Sequence, residues 1–397
     1  MGVPSGYNGG SVPEPNPCLS MPESPSLSYF SRDRAAEPAD LGPWPEDVPI
    51  YVYLPAEFWP TVPLPETLGD YWSWQQANWG QYNKGLYDWT LQTYLQLRTA
   101  GVPCGLVDQL PEDGIVLTTP PGFAEGARPG RRQYWVCIVG DKGRHRWTHL
   151  HVVQNPHDDI FQKPRALWPA FSTPFWVQPS LTPRSPDRGD RFEVAAYFGR
   201  ERELDPALRD PSWGDRVAAL GLTWRVVAPE AWHDYREVDV AIAARGFGPG
   251  ARFNWKPPSK LVNAWHGQVP AILNREDGFR SLRRSDLDYI EVRSPEEILT
   301  ALETLRDDPA LRRAMIANGR DRAEEVNNHT IAQLWQRELL TVAVPGYRRW
   351  RRWSGGQQTL FFTLRTLADW GDRSRATLRR WRGRLTQPLK GWLRQLR

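Results

Sequence analysis

Short apolar runs, each closed by a turn residue, recur in two series along this chain with helical stretches between them. The first series is Ile50–Leu54, Gly105–Val107, Gly114–Leu117, Tyr134–Val139 and Thr148–Val153. The second is Phe192–Phe198, Leu222–Val227, Val238–Ala244, Val269–Leu273 and Leu287–Val292. A strand that is apolar along its whole length buries both faces, and such strands belong in a parallel sheet covered by helices. Leu86, Trp89, Tyr94 and Leu97 trace one helical face ahead of Gly101. Ser294-Pro-Glu-Glu297 is a capping box with proline at the first helical position, and Ile298, Leu302 and Leu305 form the buried stripe that follows. Between the two series lies Gln178–Asp190, "QPSLTPRSPDRGD", which has a linker's composition. The 397 residues exceed one comfortable core. The expectation is therefore two α/β domains, at 48–180 and 190–341.

The ends differ from the middle. Residues 1–47 are rich in Pro, Gly and Ser and poor in apolar side chains, and they read as disordered. Residues 345–397 carry fourteen Lys and Arg against Asp369 and Asp372. The rest of the chain, with 36 basic and 44 acidic residues, is net negative by 8. A basic tail on an acidic body points to an anionic partner. Leu378, Trp381, Leu385, Leu389, Trp392 and Leu396 recur every three or four residues among the arginines, interrupted at Pro388. That is the pattern of a basic amphipathic helix, with Thr359–Leu364 as a second apolar patch. Residues 359–397 are accordingly expected to meet an anionic membrane surface. A helix packed on the acidic body is the competing reading. Nucleic acid is not expected, since no reading motif accompanies the tail.

Cys18, Cys104 and Cys137 are far apart and form no CxxC pair, which argues against disulfides or a zinc site and for a reducing compartment. The first residues lack the charged and apolar regions of a secretory signal. No apolar stretch reaches the roughly eighteen residues that a membrane span requires. A cytoplasmic protein, peripheral at a membrane, is the expectation.

One stretch carries chemistry. In "WKPPSKLVNAWHGQVPAIL", Trp255–Leu273, two prolines precede a helix that Ser259 can open. Leu261, Val262 and Trp265 give its apolar face, Gly267 ends it, and Val269–Leu273 reads as a buried strand. The free N–H groups of such an opening, with the helix dipole, favour an anion. Lys256 and Lys260 add positive charge there. Two solvated lysines on an ordinary helix–strand connection is the alternative.

From "YFG", "WHDYREVDVAIAAR", that stretch and "SPEEILTALETLRDDPALRRAMIANGRDRA", residues 192–340 resemble the nucleotide-sugar-binding half of GT-B glycosyltransferases, most closely over 239–305. The resemblance implies two Rossmann-like domains and transfer of a sugar from a nucleoside diphosphate to an acceptor hydroxyl in the cleft between them. It implies no metal and no cofactor, the nucleotide sugar being a co-substrate. The acceptor would be a glycan or a lipid-linked molecule. Lys260 and Arg245 would hold the diphosphate, with Lys256 and the Ser259 hydroxyl beside them, and Gly199 would let backbone approach a phosphate. The Glu-x7-Glu of many retaining members is absent. Aligned on Pro270, its positions fall at Trp255 and Asn263, and Gln268 stands where glycine is usual. Asn263 then replaces part of a ribose ligand.

Other residues have two readings each. Trp232, with Asp234 and Tyr235, lies between two strands where a base could stack, or packs the core. Asp141, after Tyr134–Val139, suits a general base for the acceptor hydroxyl, with Asp158, His157 and His151 as rivals. The segment 71–89 is either an aromatic wall for an acceptor sugar or buried core. His149 and His151 share a strand face but lack a third metal ligand. A non-catalytic glycan-binding or scaffold protein of the same fold is the alternative function.

Overall fold

A computed structural model describes residues 42–371 and 374, apart from 83, 84, 125 and 249–252. The first sheet has strands β1 (Ile50–Tyr53), β2 (Cys104–Val107), β3 (Asp113–Thr118), β4 (Arg132–Ile138), β5 (Leu150–Val153) and β6 (Ala170–Ser172). Its order is β2-β1-β3-β4-β5-β6, every pair parallel. The second sheet has β7 (Val194–Phe198), β8 (Thr223–Val227), β9 (Val240–Ala243), β10 (Ala271–Asn274) and β11 (Ile290–Val292). It runs β11-β10-β9-β7-β8, again all parallel. The central apolar runs are covered on both faces, while the edge strand β8 is mostly exposed and β2 half-buried. Ile115, Val116, Leu117, Val136 and Ile138 have no exposed surface, and β7 and β9 are buried throughout. This is the pair of Rossmann-like sheets expected of a GT-B fold. The three-residue β6 was not legible, since Pro169 precedes it and Thr173-Pro174 follows it.

The expected linker is docked rather than free. Asp239, in front of β9, accepts from Arg184 Nε (2.8 Å), Arg188 Nε (2.9 Å) and Arg188 Nη2 (2.7 Å). It also accepts from the backbone N–H groups of Glu193 (2.8 Å) and Val194 (3.0 Å). Burial raises this carboxyl's pKa, but the Arg188 guanidinium and those amides outweigh it and hold the value below normal. One buried acid thus ties the connecting segment to the second sheet.

Both ends of the ordered chain also depart from expectation. Order begins before residue 48, since Trp44 packs on the core and Asp47 pairs with Arg348 at 2.5 Å. Residues 1–41 of the expected disordered segment lie outside the described residues. The basic tail starts as part of the body. A π-helical turn at Leu339–Ala343 leads into the helix Val344–Arg352, whose Tyr347 donates to Asp113 Oδ1 (2.7 Å) at the start of β3. Trp350 packs edge-on against His149, 4.2 Å between ring centres. A further helix over 355–371 lies on the first sheet. The heptad-like residues from Leu378 onward are outside the described residues. Among the described residues no helix is long and apolar enough to cross a membrane.

Candidate functional site

In parallel sheets ligands bind beyond the carboxyl ends of the strands. Here the loops after β4, β7 and β9, with the start of the helix Ser259–His266, enclose a cleft of about 600 Å³ between the two sheets. Asp141, Gly199, Trp232, Arg245, Lys256, Ser259, Lys260 and Asn263 all line it. These eight of the residues singled out from sequence therefore meet at one place.

The helix opens at Ser259 behind Pro257 and Pro258, with no side-chain cap and no acid in its first turn. Its first amides and the positive end of its dipole are thus left for a ligand. Lys260 Nζ donates to the carbonyl of Phe198 at 2.7 Å and lies 5.0 Å from the centre of the Tyr197 ring. Among the described residues no carboxylate lies within ion-pair distance of it. Burial pushes its pKa down to about 7, and the nearby Arg245 adds to the shift. An ammonium held this way lacks a counter-ion, and an anion beside it would restore its charge. Gly199 makes the contact possible, because a Cβ there would stand 2.5 Å from Tyr197 Oη and 2.8 Å from Lys260 Nζ. Gly199 is needed for space, not for an unusual φ.

The other two cations are already balanced. Arg245 Nη1 donates to both oxygens of buried Glu276, at 2.7 and 2.5 Å, and its Nε stands 3.9 Å from Glu203. Lys256 Nζ lies 3.6 Å from Asp141 and 3.8 Å from Glu203. These carboxylates would have to share their cations with an incoming phosphate. Of Lys260, Arg245 and Lys256, only Lys260 would not.

Three buried N–H donors on residues lining the cleft have no hydrogen-bond partner among the described residues: Trp72 Nε1, Gln92 Nε2 and Arg245 Nε. An unpaired buried donor costs about 1–3 kcal/mol, so such a set favours a ligand rich in acceptor oxygens. Trp232 Nε1 is satisfied by the carbonyl of Val227 (3.1 Å), leaving the ring to line the cleft. Tyr235 stacks on Phe198 with 3.9 Å between centres and belongs to the core, while Asp234 is paired to Arg236 at 2.6 Å. Asn263 Oδ1 accepts from the amide of Gln178 (3.2 Å), which ties the helix to the start of the connecting segment.

On the opposite wall, Asp88 was not anticipated. Its Oδ1 accepts from Gln75 Nε2 (2.8 Å) and Tyr71 Oη (3.0 Å), and burial raises its pKa despite these bonds and the charge of Arg200. Seventeen residues of chain separate Tyr71 from Asp88, so no local spacing reveals the trio. Glu276, just past β10, carried the same strand-end signal as Arg245. The aromatic segment divides between both readings: Tyr71, Tyr82 and Tyr87 are core, while Trp72, Trp79 and Trp89 line the cleft.

The rival acids and histidines serve the fold. Asp158 caps the short helix that begins at Asp159, accepting from the amide of Ile160 (2.9 Å). His151 Nε2 lies 2.9 Å from Thr148 Oγ1, and His149 Nδ1 accepts from the amide of Trp135 at 2.8 Å. Burial, with Arg365 close by, lowers the pKa of both well below normal. No group of three metal-ligating side chains occurs among the described residues. Gln268 takes φ 55°, the left-handed conformation that explains glycine's usual place there, and Arg320 Nη2 donates to its Oε1 at 2.7 Å.

No family model matches this chain, and no curated protein matches its sequence. Its structure is similar to that of sucrose-phosphate synthase from Thermosynechococcus elongatus, at 12% identity over 58% of this chain and 74% of that one, TM-score 0.40. It is also similar to Anabaena HepE in complex with UDP-glucose, at 12% identity over 74% and 99%, TM-score 0.43. A third is AviGT4, a glycosyltransferase of avilamycin A biosynthesis, at 11% identity over 76% and 98%, TM-score 0.42.

Proposed function

We propose that this protein is a glycosyltransferase that moves a sugar from a nucleoside-diphosphate donor to an acceptor hydroxyl in the cleft between its sheets. The observation that carries this reading is Lys260, a desolvated ammonium without a counter-ion at an uncapped helix start. Lys260 and the first amides of the helix Ser259–His266 take the diphosphate, with Lys256 and Arg245 turning toward it from their carboxylates. As the donor bond breaks, negative charge grows on the leaving diphosphate, where a fixed cation and a helix N-terminus stabilise it most. Trp232 supplies a face for the base. Asp88, facing from the first sheet, takes the acceptor proton. Its geometry suits that task better than Asp141, whose oxygens lie 3.6 Å from Lys256 and 3.8 Å from Lys142. Trp72, Trp79 and Trp89 would then stack on an acceptor glycan.

Thermal shift with a panel of UDP, GDP and their sugars tests the donor site. A nucleotide that binds raises the melting temperature by mass action, as RT ln(1 + [L]/Kd). Lys260→Ala is expected to weaken that nucleotide about 10- to 100-fold, the worth of one charge-assisted hydrogen bond. Unchanged nucleotide stabilisation and unchanged sugar transfer in Lys260→Ala would refute the site.

Acidity gives a second check. The bound anion raises the Lys260 pKa, so above about 7 binding must take up a proton. UDP affinity should therefore fall as pH rises from about 7, by at most about tenfold per unit. Without ligand the sign reverses. Between about 7 and the unfolded 10.5 the unfolded chain holds the extra proton, and the cost of the buried charge is relieved as pH rises. Titration calorimetry in buffers of different ionisation enthalpy reads the proton uptake directly. An affinity flat across this range is inconsistent with Lys260 as the ligand.

A further inference from the structure

The helix over 355–371 is apolar on two faces. Its inward face sets Phe361 and Phe362 on Trp350 and adds polar anchors: Gln358 Nε2 donates to the carbonyls of Arg131 and Trp350, both at 3.1 Å. Arg365 donates to the carbonyl of Thr148 with its guanidinium 4.0 Å above the Trp168 ring, and Asp369 accepts from Arg144. All three side chains are buried. The outward face carries Leu360, Leu364, Leu367 and Trp370, which are 56, 46, 59 and 70% exposed. Four of the six exposed large apolar side chains among the described residues therefore lie on this one helix. A helix packed on a water-soluble body presents a polar outward face, and a contiguous apolar stripe of this kind marks an interface.

Charge identifies the occupant. Before it in sequence stand the exposed arginines of Val344–Arg352, of which Arg349 and Arg352 form no ion pair among the described residues. Further along the sequence, residues 372–397, outside the described residues except for Ser374, carry nine Lys and Arg and the single acid Asp372. An apolar stripe flanked in sequence by cations matches a surface with anionic headgroups above acyl chains.

We propose that Leu360, Leu364, Leu367 and Trp370, with the exposed Arg349 and Arg352, form a docking face for an anionic membrane. The polar inward contacts hold the helix with its leucines outward, so the face is rigid before it meets lipid. The inference does not depend on nucleotide binding.

Flotation of the full chain with phosphatidylcholine vesicles, with and without phosphatidylglycerol, tests it. The protein should float with the anionic vesicles, remain behind with the neutral ones, and detach as salt rises. Leu360→Asp, Leu364→Asp and Leu367→Asp together should weaken vesicle binding about tenfold or more. The melting temperature should be unchanged, because these side chains leave no core position empty. Trp370→Glu, at the far end of the stripe, should act in the same direction. Flotation insensitive to both variants would overturn the proposal. So would failure of the native chain to float, in which case the stripe serves a second copy or the chain's own tail, read as a change in sedimentation mass or protease sensitivity on substitution. Nucleotide stabilisation measured on the same samples separates this outcome from failure of the donor site.

Discussion

Replacing Asp88 with Asn is expected to slow donor turnover by about 10²- to 10⁴-fold, the range lost with a positioned general base, while UDP still stabilises the protein. The substitution keeps an oxygen able to accept from Gln75 Nε2 and Tyr71 Oη, so the wall of the cleft should hold. It removes only the oxygen pair that can take a proton. Burial raises the Asp88 pKa, so the acidic limb of the pH–rate profile should lie above that of an ordinary carboxylate and vanish in the variant. Release of UDP from the preferred sugar nucleotide, with or without an acceptor, measures it. Asp141→Asn should cost far less, because Lys256 and Lys142 already engage that carboxylate. The opposite ranking of the two variants would return the role to Asp141.

Asp239→Ala should destabilise the fold by about 3–5 kcal/mol, the cost of breaking a buried ion pair from one side. Asp239 is 1% exposed and Arg188 5% exposed at the side chain. Without the acid, Arg188 keeps only Glu237 and Glu193, whose side chains are 65 and 56% exposed and are correspondingly well solvated. The backbone N–H groups of Glu193 and Val194 lose their acceptor as well. The native carboxyl's pKa lies below its ordinary 3.8, so its contribution is complete above pH 3.8 and is lost as pH falls through the folded value. Chemical denaturation of the native chain and the variant at neutral pH, and again at low pH, should show the two converging. A difference that persists in acid would place the effect elsewhere than in this ion pair.

These two residues also show where sequence reading reaches and where it stops. Ser259, Lys260 and Gly199 were legible because proline, helix opening and strand end are local signals. Asp88 was not, since its meaning comes from Gln75 and Tyr71, which only the packing of three short helices brings to it. Arg245, Lys256 and Asp141 were found, yet not the other two carboxylates that balance these cations. Glu203 and Glu276 come from separate loops, and they make these two cations conditional ligands. The segment 178–190 had a linker's composition, but Arg184 and Arg188 within it are pinned by an acid about fifty residues on. The apolar patch Thr359–Leu364 was visible in the sequence. The direction its leucines face depends on Trp168, Thr148 and Arg144, which hold the polar side of the helix.

Sequence by itself determined the place of ten of the eleven strands described, their parallel sense, and the basic helix opening, because apolar period, proline and glycine act within a few residues of chain. Tertiary structure alone decided which cation lacks a counter-ion, which acid faces it, and which side of the last helix is bare. Those properties depend on burial and on partners distant in the chain, and distance along a chain carries no electrostatic energy until folding closes it.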